Sequence, residues 1–130
     1  MIIRGTTPYQ RFLLPLKAEE IDQIYVTYLQ NEEVILDKGK DEVTITNTED
    51  LIENASMGED LTETLTEEEL NSCQLMAHLS QEDTLAFHFY PAAEKNIAVI
   101  QIRVLTTDGE AFASDPINER IFGVLKDGVI

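Results

Sequence analysis

The stretch Ile97-Ala98-Val99-Ile100-Gln101-Ile102-Arg103-Val104-Leu105, running into Thr107-Asp108-Gly109-Glu110, decides the fold class. Its period is two: Ala98, Ile100, Ile102 and Val104 fall on one face and Gln101 and Arg103 on the other, the pattern of a half-buried strand. An Asp-Gly pair after such a strand is the preferred two-residue hairpin loop, because the type I′ turn needs positive φ and Gly109 adopts it without strain. This predicts a hairpin in which Asp108 and Gly109 form the turn, Leu105 faces Phe112 and Val104 faces Ala113.

Working outward, the same period recurs. Ile24, Val26 and Tyr28 share one face of Gln23–Leu29, and Glu33–Leu36 follows after a plausible turn at Gln30-Asn31-Glu32. Glu42–Thr46 alternates, Cys73–Leu79 and Thr84–Tyr90 read as strands, and a last strand is expected over Arg120–Leu125 after Asp115-Pro116. Tyr9–Leu16 reads as an edge strand closed by Pro15, because proline cannot donate to a central ladder. Lys17–Ile21 reads as one helical turn. About eight short strands in 130 residues predict a single mainly β domain, an antiparallel β-sandwich.

Residues 47–70 break the pattern. They show no alternation, and Thr66-Glu67-Glu68-Glu69 is a helix start. Thr66 is the expected N-cap, Glu69 its capping-box partner, and Leu65 with Leu70 the hydrophobic staple. Ser80-Gln81-Glu82-Asp83 has a weaker form of the same signature. The span therefore reads as a partly helical acidic insertion between two strands of the 1–130 domain.

The net charge is −16, from 25 acids against nine bases, and it is unevenly placed. Residues 41–94 hold 14 acids and no Lys or Arg, while the remaining 11 acids face all nine bases. So acidic a chain is not expected to bind nucleic acid, whose phosphates are held by Lys and Arg, or an anionic membrane. A lone cysteine, Cys73, leaves no internal disulfide and suits a reducing compartment. No apolar run is long enough to predict a transmembrane helix, and the N-terminal stretch lacks the apolar core of a secretory signal.

No catalytic constellation emerges. His78 and His88 lie on separate predicted strands without metal-ligand spacing, and Cys73 alternates with Leu75 and Ala77 as a buried small side chain would. The acids include no calcium-loop spacing. Neither enzyme activity, cofactor nor metal is expected. The candidate partner-binding residues are the insertion acids Glu59, Asp60, Glu63, Glu67, Glu68 and Glu69, together with Arg103, which either pairs with an acid across a neighbouring strand or touches a partner.

Several phrases in order carry a resemblance: Gly5-Thr6-Thr7-Pro8 leading to Phe12 and Leu14-Pro15; Ile24–Asn31; Leu79–Leu85 with Phe87; and Gln101–Thr106 with Asp108-Gly109, Ala111 and Ala113-Ser114. This order resembles a family of small structural proteins of phages and prophages of Gram-positive (Firmicutes) gut bacteria, and it spans nearly the whole chain except 47–70. The resemblance implies an immunoglobulin-like sandwich, made in the bacterial cytoplasm and built into the virion as a capsid-decoration, head–tail connector, tail or baseplate subunit. Its expected partners are other virion proteins and further copies of itself in a symmetric assembly. It implies no catalytic residue. Two readings compete: an acidic DNA mimic that inhibits a host nucleic-acid-binding protein, suggested by the charge, and a β-sandwich ligand-binding module.

Overall fold

The computed structural model describes residues 1–55 and 66–123. The chain is mainly β, in two sheets. Among the described residues there are nine strands: β1 (Ile2–Ile3), β2 (Tyr9–Leu14), β3 (Ile21–Gln30), β4 (Glu33–Gly39), β5 (Thr44–Asn47), β6 (Cys73–His78), β7 (Ile97–Thr106), β8 (Ala111–Ala113) and β9 (Ile117–Phe122). Among the same residues they are accompanied by three short α-helices: α1 (Thr48–Ala55), α2 (Glu67–Leu70) and α3 (Gln81–Leu85). The larger sheet runs β1-β9-β7-β3-β4, with β8 also on β7, and the smaller runs β2-β6-β5. Among the described residues every pairing is antiparallel except β1 on β9, where Ile2 lies opposite Ile121. That two-residue parallel strand is too short to leave a periodic signal.

One buried cluster joins the two sheets. Ile24, Val26, Tyr28, Ile100, Ile102 and Val104 of the larger sheet meet Leu14, Cys73 and Leu75 of the smaller, each almost wholly removed from water. The alternation read along β3 and β7 is thus the inward face of the larger sheet. The β3–β4 connection is a two-residue loop, Asn31-Glu32, with both residues at positive φ (51° and 67°). This is the type I′ geometry that matches strand twist, reached here without glycine.

Three expectations are corrected. Thr84–Tyr90 is not a strand. Ser80 caps α3, its Oγ accepting from Asp83 N at 3.0 Å while Asp83 accepts from Ser80 N at 3.0 Å, so the capping box overrides the apparent alternation. Thr84, wholly buried in α3, donates through Oγ1 to Thr6 O at 2.8 Å and accepts from Gly5 N, tying the helix to the N-terminal segment. Phe87 is buried and makes an edge-on contact with Tyr28, while Phe89, which the strand reading placed on the same side, is exposed.

The second correction is the hairpin register. Leu105 pairs with Ala111 and Val104 with Phe112, one residue short of expectation, because Thr106 N donates to Glu110 O and the loop is the three residues Thr107-Asp108-Gly109. Gly109 takes φ 91° there. The register then slips back by one at Ser114, so that Ile100 pairs with Ile117. Ser114 accepts from Ile102 N through Oγ at 3.0 Å and donates its own N–H to Ile102 O at 2.8 Å, filling the ladder across the bulge. The third correction follows: β9 begins at Ile117 rather than Arg120, and the Leu125 end of the expected strand lies outside the described residues.

The acidic excursion leaves and rejoins the smaller sheet at one place. Asn47 lies opposite Cys73, Thr48 N donates to Ser72 O at 3.1 Å, and the Thr48 and Ser72 hydroxyls are 2.7 Å apart. The Thr66 capping box forms as expected, with Glu69 N donating to Thr66 Oγ1 at 3.2 Å; Leu65, the other half of the expected staple, lies outside the described residues.

Candidate functional site

The outward face of the larger sheet carries two adjacent cross-strand rows. In one, Tyr25 of β3, Arg103 of β7 and Ala113 of β8 stand side by side; in the other stand Gln23, Leu105 and Ala111. With Val104 and Phe112 these residues line a shallow, open hollow of about 600 Å³. None of the lining residues is an acid. Tyr25, Leu105 and Phe112 are 41%, 36% and 39% exposed, an unusual concentration of apolar surface in so acidic a chain.

Arg103 has the face expected of it but a different partner. Its guanidinium carbon sits 5.4 Å from the centre of the Tyr25 ring, and among the described residues it makes no ion pair. A cation over a tyrosine face is attracted by the ring quadrupole and remains free to hydrogen-bond at its edges. The sequence placed Arg103 on this face by alternation. Tyr25 was missed, since only the β3–β7 register puts it opposite Arg103.

The insertion acids are only partly described. Glu67, Glu68 and Glu69 form the first turn of α2 and are exposed, with Glu69 engaged in capping; Glu59, Asp60 and Glu63 lie outside the described residues. Glu68 and Glu69 line a separate small hollow with Leu13, Leu14, Pro15 and Ser72, about 220 Å³ in volume. The structure therefore does not bring Arg103 and these glutamates into one site. Asp108 and Gly109 are turn residues, as read: Asp108 accepts from Thr106 Oγ1, and that hydrogen bond, followed by one from Glu110 N, holds its carboxyl below the usual range.

Cys73 is buried, whereas His78 and His88 are exposed. Burial pushes the Cys73 thiol up to about 11, with Glu19 and Glu20 adding to the effect, and the side chain is wholly covered. His78 stacks flat on Tyr9 at 4.0 Å, whereas His88 lies in the loop after α3 with its ring 5.8 Å from Tyr90. Among the described residues, no three His, Cys, Asp or Glu side chains converge in a way that would hold a metal ion, and no helix is long and apolar enough to cross a membrane.

Comparison with protein-family models, with curated proteins and with solved structures gave no match.

Proposed function

We propose that this chain is a non-enzymatic structural subunit of a phage particle, an immunoglobulin-like sandwich that works through protein–protein contacts. The strand order supports the fold reading. If β2 to β7 are taken as strands B, C, C′, D, E and F, and β9 as G, then β9-β7-β3-β4 reproduces the G-F-C-C′ order and β2-β6-β5 the B-E-D order of a variable-type domain. In that frame the acidic excursion is an enlarged D–E connection and α3 lies in the E–F connection.

The observation that carries the functional reading is the hollow on the outward face of the larger sheet, whose lining holds no acid. Exposed Tyr25 and Leu105 beside a stacked arginine is the composition of an interface centre, where aromatic residues and Arg are enriched and Asp and Glu depleted. A subunit that repeats in a particle needs such a face, and its acidic remainder keeps other surfaces of like charge apart. The test is mass spectrometry of purified particles induced from a host that encodes the chain. Finding it at a stoichiometry set by particle symmetry supports the reading; its absence from intact particles overturns it.

A further inference from the structure

We infer that two copies of this chain join through the free edge of β2, antiparallel about a two-fold axis at Arg11. The inner edge of β2 is paired along its length with β6, and Leu79 N donates to Pro8 O. That bond sets the phase of the ladder: Gln10, Phe12 and Leu14 turn their backbone groups toward β6, while Tyr9, Arg11 and Leu13 turn theirs outward. Among the described residues no strand pairs with that outer edge.

The edge is complementary to itself. Antiparallel pairing places Tyr9 opposite the second copy's Leu13, Arg11 opposite Arg11, and Leu13 opposite Tyr9, so each outward N–H and C=O meets a partner in phase. The side chains at these pairs point to the same sheet face, which sets Leu13, 71% exposed, against the other copy's Tyr9, 52% exposed. Pro15, in phase with Tyr9, Arg11 and Leu13, has no N–H to offer the outer edge and so bars extension of the ladder past Leu13.

Charge permits a second copy. β2 carries one arginine and no acid, so two strongly acidic bodies can meet here without direct repulsion between carboxylates. The Arg11 guanidinium leans back over its own Tyr9, 5.6 Å from the ring centre, away from the proposed axis. It leans toward the end of the interface where the other copy brings Leu13, Pro15 and, beside them, Glu68 and Glu69 of α2. The inference deepens the assembly reading, yet the two fail separately: absence from particles would leave the dimer standing, and a monomer would leave the particle role standing.

The test is sedimentation of the full chain with three variants. Arg11→Pro removes an N–H that the single chain does not use, and should weaken dimerisation roughly tenfold or more while thermal melts report an intact fold. Leu13→Lys alters only an outward side chain and should weaken it comparably, which keeps the test decisive if the proline variant fails to fold. Arg11→Cys should form an intermolecular disulfide on oxidation, because only that residue meets itself at the axis, whereas Leu13→Cys should not. A wild-type chain that stays monomeric across the micromolar-to-millimolar range overturns the proposal. So does a dimer that survives both Arg11→Pro and Leu13→Lys in folded protein.

Discussion

Lys38 Nζ lies 2.9 Å from Asp83 Oδ2, joining the edge strand β4 to the capping residue of α3, with both side chains less than one-fifth exposed. Asp83 serves two structures at once. It accepts from Ser80 N to complete the capping box and from Lys38 to hold that box against the larger sheet. Asp83→Ala is expected to cost about 1–3 kcal/mol, measured as a lowered urea midpoint, since it removes a cap and leaves the largely buried Lys38 ammonium with its longer contact to the more exposed Glu42, at 3.6 Å. Lys38→Met should cost less, because Asp83 keeps its backbone donor.

The same carboxyl predicts a pH dependence. Burial raises its pKa, but the Ser80 backbone donor and the Lys38 hydrogen bond and charge outweigh that and hold it below the ordinary value of 3.8. A depressed folded-state pKa means that the stabilisation is fully present above the unfolded value and is lost as pH falls below it, through the folded value. The difference in urea midpoint between wild type and Asp83→Asn should narrow from neutral pH to about pH 3. A gap that stays constant across that range would refute the assignment.

Gln30 is buried at 2% exposure and binds the loop after α3 at three points. Its Nε2 donates to His88 O at 2.7 Å and Lys95 O at 3.0 Å, and its Oε1 accepts from His88 N at 2.7 Å. Gln30→Leu keeps the volume but strands those backbone groups, and should cost about 2–4 kcal/mol in denaturant unfolding. A loss below about 1 kcal/mol would show that water replaces the glutamine.

Glu32 sits at φ 67° in the β3–β4 turn, where a side chain is strained. Glu32→Gly should stabilise the chain by about 1 kcal/mol, seen as a melting temperature higher by a few degrees. Asn31 tolerates the same region better, so Asn31→Gly should give the smaller gain.

The meeting of Thr48 and Ser72 predicts that the acidic excursion is dispensable for folding. Joining them through a two-residue Asn-Gly turn in place of residues 49–71 continues the β5–β6 ladder and should leave strand content by circular dichroism unchanged. Asn47 must be kept, because its Oδ1 accepts from Ala18 N at 2.8 Å and its Nδ2 donates to Glu19 at 2.9 Å, fastening the turn between β2 and β3. A variant that fails to fold would place the excursion within the core.

Alternation over Ile97–Leu105 and Gln23–Leu29 identified the core faces correctly, because Gln101 and Arg103 on one strand, and Gln23 and Thr27 on the other, mark the outward face while every inward position between them is apolar. Thr84–Tyr90 misled, because the alternation of Leu85, Phe87 and Phe89 competes with a capping box that acts within one turn and with Gln30, distant in sequence, which takes the backbone of His88. The candidate face was half legible: Arg103 was placed on it, but Tyr25 beneath the guanidinium was not, since nothing local to either residue sets the register between their strands.

By itself the sequence determined that this is a mainly β chain, that helices start after Thr66 and Ser80, that a turn falls at Asp108-Gly109, which side of each long strand is buried, and that its charge is concentrated in 41–94. Those features follow from side-chain periodicity and from hydrogen bonds between residues three or four apart. Only the tertiary structure decided that the hairpin loop has three residues with a compensating bulge at Ser114, that Ile2 runs parallel beside Ile121, that α3 replaces a strand, and that among the described residues no strand pairs with the outer edge of β2. Each of these is a competition among distant backbone donors and acceptors for the same partners, and such a competition is settled only when the whole chain has closed around one core.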